Sequence, residues 1–145
     1  VIETIREIAK ETLEKMGMYS EDALNLVMET GMAETGFKHL KQMGGGPAIG
    51  FFQVEPWVIT DYCDNYLAYR AKTMDKVLAL GFKPTDQVFS TISNIAVQVA
   101  FCRIHYRRVP SAIPSTIEER AKYWKKHYNS ELGKGTVEHY LKANK

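Results

Sequence analysis

Apolar positions recur at helical spacing along most of this chain. Ile2, Ile5, Ile8, Ala9, Leu13 and Met16 form one stripe, which predicts an N-terminal helix ended by Gly17. Ser20 is placed to cap a second helix, with Glu21 and Asp22 in its first turn, where the helix dipole favours acids. The apolar face of that helix runs Ala23, Leu24, Val27, Met28 and Met32. Gly31 interrupts the face at a cost of about 1 kcal/mol relative to Ala in an exposed helix. A close contact with another helix is the expected reason for it. Glu34 then falls near the helix end.

The helical pattern stops at residues 36–50, which carry five glycines, including Gly44-Gly45-Gly46-Pro47. A regular helix is not expected there. Ile49 to Val54 reads as one or two short strands or a tight turn, and Pro56 suits the first position of the next helix. That helix contains Trp57, Val58, Tyr62, Cys63, Tyr66 and Leu67 and runs with a break to Leu80, where Gly81 stops it. Pro84 to Asp86 opens a further stretch. Residues 91–107 form the most apolar helix, through Ile92, Ile95, Ala96, Val99, Ala100, Cys102 and Ile104, and this predicts the central helix of the core. Pro110 and Pro114 bracket a loop. Thr116 with Glu119 forms a capping-box pattern for a helix through about Lys126. Tyr128 to Gly135 reads as a second loop, and Thr136 begins a short terminal helix.

These elements predict a mainly α fold over residues 1–145, a single helical domain with at most a tiny β-hairpin. An N-terminal helix over 1–17 precedes a core over 20–141. A length of 145 residues is enough for one sizeable core. The formal net charge of +2 is too small to argue for a nucleic-acid partner. No stretch is long and apolar enough for stable membrane insertion. Residues 1–20 carry neither the basic segment nor the apolar run of a signal peptide, and localisation stays open. Cys63 and Cys102 sit in apolar helical patterns, where buried free thiols are the default, although a bridge between them is not excluded. The histidines are scattered (His39, His105, His127 and His139), so neither a metal site nor any other cofactor is expected.

Candidate chemistry gathers around Glu34-Thr35-Gly36-Phe37 and, across the glycine-rich stretch, Gly50-Phe51-Phe52-Gln53-Val54-Glu55-Pro56. The small and apolar neighbours of Glu34 (Met32, Ala33, Gly36, Phe37) would desolvate its charged form and raise its pKa. A carboxylic acid kept protonated near neutral pH is what protonation of a glycosidic oxygen requires. An exposed glutamate at a helix terminus is the plainer alternative. The two elements and their interval resemble the lytic transglycosylases and goose-type lysozymes, where a Glu-Ser-x-Phe-like element precedes a Gly-Leu-Met-Gln-like one. Tyr128-Asn129-Ser130-Glu131-Leu132-Gly133 resembles the Tyr-Asn-Ala-Gly element late in the same domains, so three short elements occur in the family's order across residues 20–141.

The resemblance implies a lysozyme-like fold, with peptidoglycan glycan strands as the partner. The implied reaction cuts between N-acetylmuramic acid and N-acetylglucosamine. By resemblance Glu34 is the acid/base, Gly50 lets backbone approach the sugar, and Gln53 supports the cleft. Phe51 and Phe52 wall it, Tyr128 hydrogen-bonds Glu34 or substrate, and Asn129 shapes its loop. Tyr62 or Trp57 can stack on sugars. Glu55 stands where goose-type lysozymes carry a second acid and would hold an attacking water. Alternatively it is an acid stabilising a helix N-terminus. Core packing is the alternative for Phe51 and Phe52, and an Asn-initiated turn for Tyr128-Asn129. Asn94, ahead of the central helix, also matches an Asn of the family, or simply bonds backbone.

Thr35 in place of Ser is a mild departure, whereas Gly44-Gly45-Gly46-Pro47-Ala48 replaces the family's usual approach to the Gly-Gln element. That variant, together with the lack of a signal-peptide pattern, resembles phage-encoded members, whether virion-associated or lytic. The other reading is a lysozyme-like module without activity, binding glycan or serving a virion structurally. The basic residues of the last third (Arg103, Arg107, Arg108, Arg120, Lys122, Lys125 and Lys126) form either a patch for an anionic polymer such as a cell wall or an ordinary solvated face.

Overall fold

A computed structural model describes residues 1–129 and 132–145. Eight α-helices are described: α1 (Ile2–Lys15), α2 (Glu21–Glu34), α3 (Pro56–Asn65), α4 (Ala71–Ala79), α5 (Gln87–Ile92), α6 (Ile95–Arg107), α7 (Ile117–Trp124) and α8 (Val137–Ala143). The chain is mainly helical, as its periodicity predicts. Starts are fixed by side chains that accept hydrogen bonds from orphan backbone N–H groups: Ser20 from Ala23, Asn94 from Val97, Thr116 from Glu119 and Thr136 from His139. Pro56 occupies the first turn of α3, where no donor is lost.

α6 is central because it is apolar on almost every side: Val97, Val99, Ala100, Phe101, Cys102 and Ile104 are all fully buried. On one side it packs with α3, α4 and Phe82; on the other, with α1, α2, Phe37 and Phe52. A third cluster, built on Ala33, Ala121, Trp124 and Tyr140, fastens α7 and α8 to the end of α2. That attachment is also ionic. Arg120 donates from Nε and Nη2 to the two oxygens of Glu29, each at 2.8 Å, and the Tyr140 hydroxyl donates to Glu29 Oε1 at 2.7 Å.

Several expectations need correcting. The apolar run from residue 91 is two helices, because Asn94 spends its side chain on capping α6 and on donating to the Leu80 carbonyl at 2.8 Å. The nearest neighbour of Gly31 is not a helix but the Phe37 ring, which a Cβ there would overlap, so the glycine is a socket for an aromatic from the following loop. The helix after Thr116 does not continue regularly to Lys126, and α7 passes at Lys125 into a π-helical turn over Lys125–Asn129. Tyr128 and Asn129 therefore lie on helical backbone rather than at the start of a loop. Ser130 and Glu131 lie outside the described residues. Ile49 to Val54 is a tight turn closed by isolated antiparallel bridges from Ile49 to Val54 and to Lys41, the nearest approach to a hairpin among the described residues. Cys63 and Cys102 are buried and unbridged.

Candidate active site

Glu34 is the last residue of α2, and it enters a cleft of about 760 Å³. Stretches far apart in sequence form the walls. Gln53, Glu55 and Trp57 come from the turn and the start of α3. Tyr62 and His105 come from α3 and α6. His127, Tyr128 and Asn129 come from the π-helical turn, and Glu34 itself from α2. The volume lies in the range that encloses a small ligand or a short stretch of polymer.

The Glu34 carboxyl is half-buried and has no cation paired with it among the described residues. Its pKa is pushed from an ordinary 4.5 up to about 7, chiefly by burial, which penalises the charged form. Two groups oppose the shift: the Trp124 indole N–H, which donates to Oε2 at 3.0 Å, and the positive field of His139. His139 is itself anchored through Nε2 to the Ala33 carbonyl at 2.7 Å. Near neutral pH the acid is thus divided between its two forms and can release or take up a proton.

The Gly50–Gln53 turn is built for position. Thr35 donates its hydroxyl to the Phe51 carbonyl at 2.8 Å and accepts from the Phe37 N–H at 3.1 Å, tying the end of α2 to the turn. Gln98 accepts from the Phe51 N–H at 2.9 Å and donates to the Thr91 carbonyl at 3.0 Å. A Cβ on Gly50 would meet the Gln98 side chain, and at φ 78° the turn favours glycine on conformational grounds as well. Gln53 adopts φ 54°, a left-handed conformation costing of order 1 kcal/mol in a non-glycine residue. Its side chain donates back to the Gly50 carbonyl at 3.0 Å.

The opposite wall is a polar chain. His105 Nε2 lies 2.7 Å from the His127 carbonyl and Nδ1 lies 2.7 Å from the Tyr62 hydroxyl. A carbonyl only accepts, so Nε2 carries the proton and Nδ1 accepts from Tyr62. Burial, the largest influence, lowers the His105 pKa and agrees with this neutral tautomer. Tyr62 is fully buried, and desolvation holds its hydroxyl protonated. The chain pins the π-helical turn against α6 and α3, which sets Tyr128 and Asn129 on the cleft.

The structure places the sequence-predicted residues unequally. Glu34, Gln53, Glu55, Tyr62, Tyr128 and Asn129 line one cleft. Gly50, Phe51 and Phe52 do not. Gly50 serves the turn, and both phenylalanines meet the Phe37 ring edge-on, at 5.4 and 5.9 Å, with Phe52 fully buried. Core packing, the alternative reading of this pair, is what the geometry gives. Tyr128 does not bond Glu34: its hydroxyl donates to the Phe52 carbonyl at 2.5 Å, and its ring stacks on Tyr106. Lys125 Nζ donates to Asn129 Oδ1 and to the Gly133 carbonyl, at 2.9 and 2.8 Å. Glu55 holds the N-cap position of α3 without a side-chain capping bond. It accepts instead from the Trp57 indole N–H at 2.6 Å, which orients a ring that is 67% exposed on the cleft rim. Trp124, Gln98 and His105 escaped the sequence reading. Gln98 carried a signal all the same, as the one polar residue between Ile95 and Cys102.

Among the described residues no group of three His, Cys, Asp or Glu side chains is placed to hold a metal ion, and no helix is long and apolar enough to cross a membrane. No protein-family model, curated protein or solved structure matches this chain.

Proposed function

We propose that the cleft cleaves glycan strands of peptidoglycan between N-acetylmuramic acid and N-acetylglucosamine, with Glu34 as the single acid/base. The observation that carries this reading is the state of Glu34, a half-buried carboxyl on the wall of an open cleft, with no ion-pair partner among the described residues and a pKa pushed up to about 7. Support also comes from convergence. The Glu34, Gln53 and Tyr128-Asn129 elements, which resemble those of lytic transglycosylases and goose-type lysozymes, meet in one place although they come from separate parts of the chain.

In this mechanism protonated Glu34 gives its proton to the glycosidic oxygen as the C–O bond breaks, and positive charge develops on the departing sugar's ring. The carboxylate left behind then accepts a proton from the incoming hydroxyl. When that hydroxyl is the muramyl 6-OH the product is a 1,6-anhydro sugar; when it is water the product is a reducing end. The Trp124 N–H stays on Oε2 throughout, steadies the carboxylate and leaves Oε1 for the proton. Exposed Trp57, oriented by Glu55, offers an apolar face on which a sugar ring can stack.

The test is mass spectrometry of purified peptidoglycan after incubation with wild type and Glu34→Gln. Anhydromuropeptides from wild type alone are expected for a transglycosylase. Reducing-end products that vanish in Glu55→Gln would give Glu55 the water-positioning role. Fragment release by neither folded protein would discard the enzymatic reading in favour of a glycan-binding or virion structural module.

A further inference from the structure

The chain has six arginines, and they divide into two sets. Arg6, Arg108 and Arg120 each meet a carboxylate, at 3.3, 2.7 and 2.8 Å. Arg70, Arg103 and Arg107 have no carboxylate partner among the described residues. These three are neighbours. Arg70 and Arg107 line a pocket of about 520 Å³ together with Arg108, Thr73 and Asn65. Arg103 and Arg107 line a second pocket of about 390 Å³, between the C-terminal half of α6 and residues 109–113.

The arrangement is costly unless something neutralises it. Arg103 is only 7% exposed, and its Nε–H reaches no better acceptor than the Met18 carbonyl, at 3.5 Å. Met18 is itself part of the first pocket's wall. Burial lowers the Arg103 pKa, and the like charge of Arg107 lowers it further, so the two guanidinium groups repel. Arg70 is held in place, its guanidinium 3.9 Å from the centre of the Tyr66 ring and an Nη1–H on the Tyr66 carbonyl at 3.2 Å. Asp61, the partner of Arg108 at 2.7 Å, is also engaged by Asn65 at 2.6 Å. A buried guanidinium without a counter-charge is costly, and the exposed guanidiniums of Arg70 and Arg107 nearby add repulsion. An anion arriving from solution resolves both costs.

We propose that the pocket between α3, α4 and the C-terminal end of α6 binds a phosphate-bearing ligand, with Arg70 and Arg107 contacting it and Arg103 as the buried charge behind them. Phosphate suits the site because it brings up to two charges and several acceptor oxygens, which match forked guanidinium donors, and Thr73 and Asn65 add neutral donors. The site is separate from the Glu34 cleft. His105 faces that cleft, whereas Arg103 and Arg107, two residues to either side, lie on the other face of α6.

The test is isothermal titration of the full chain with sodium pyrophosphate at low ionic strength, beside co-sedimentation with phosphatidylglycerol and phosphatidylcholine vesicles. The variant Arg70→Gln/Arg107→Gln changes two exposed side chains, so its fold is expected to survive, with circular dichroism as the check. Saturable pyrophosphate binding, weakened about tenfold or more in the double variant and unchanged in Lys142→Gln, is expected. Binding confined to phosphatidylglycerol vesicles and lost in the same variant would identify a lipid phosphate as the source. Binding to neither probe, equal binding by variant and wild type, or displacement of pyrophosphate by equimolar acetate would overturn the proposal.

Discussion

Helix α2 carries two inward-facing glutamates five positions apart, and their surroundings differ in kind. Glu29 is closed off: two bonds from Arg120 and one from Tyr140 occupy its carboxylate, and Asn144 donates to its backbone carbonyl at 3.2 Å. Glu34 has one neutral donor, no ion-pair partner among the described residues, and an opening to a cleft. Both sit beneath α7 and α8, so depth alone does not separate them. A carboxylate bonded on both oxygens by a guanidinium is spent as a fastener. A carboxyl denied one is left close to its own titration point and becomes available for chemistry.

The largest way to break this contrast is to remove the Glu34 acid. Glu34→Gln keeps the shape and the bond from Trp124, and glycan cleavage is expected to fall about 10²- to 10⁴-fold without loss of fold. The opposite outcome belongs to the other glutamate. Arg120→Ala leaves Glu29 buried without its cation and is expected to cost about 3–5 kcal/mol in urea unfolding, with activity lost only through unfolding.

A third prediction concerns pH. A carboxyl raised from 4.5 to about 7 stays protonated in the folded chain while the unfolded chain ionises. Its contribution to stability is therefore full below about pH 4.5 and is lost as pH climbs through about 7. The shift corresponds to roughly 3 kcal/mol, an upper figure for a half-buried group. Glu34→Gln has no such penalty, so its stability relative to wild type is expected to improve by up to that amount between pH 4 and pH 8, read from denaturant midpoints. A wild type and variant that run in parallel across this window would contradict the assignment.

The smallest effect sharpens the picture. Trp124→Phe removes the donor that favours the Glu34 carboxylate, so the alkaline limb of the activity profile is expected to move up by about one pH unit or less. A purely structural role for Trp124 would lower activity evenly at all pH values.

Much of the fold could be read from spacing and caps. Ser20, Thr116 and Thr136 cap where their sequences place them, and the apolar run around Val99 and Cys102 is the central helix. What escaped was set by tertiary partners. The reason for Gly31 is a ring six residues later, and nothing local reveals that Phe37 turns back over its own helix. The π-helical turn at Lys125–Asn129 is held by His105, twenty or more residues upstream, so its local sequence reads as an ordinary helix end. The site was legible as a set of elements but not as contacts. Glu34, Gln53 and Tyr128 do share a cleft, yet the Tyr128 hydroxyl expected on Glu34 or substrate goes to the Phe52 carbonyl, and the donor that does reach Glu34 is Trp124, which no short pattern marks. The turn residues Phe51 and Phe52 show the same limit: a motif gives residue order, while which face is buried depends on the ring that docks against it.

The most direct measurement is a carbon-13 NMR titration of the side-chain carboxyls of selectively labelled glutamates, with Glu34→Gln supplying the assignment. One resonance with a midpoint near pH 7 that disappears in Glu34→Gln is expected. A Glu34 midpoint in the ordinary carboxylate range, near 4–5, would contradict it and leave the cleft without its acid.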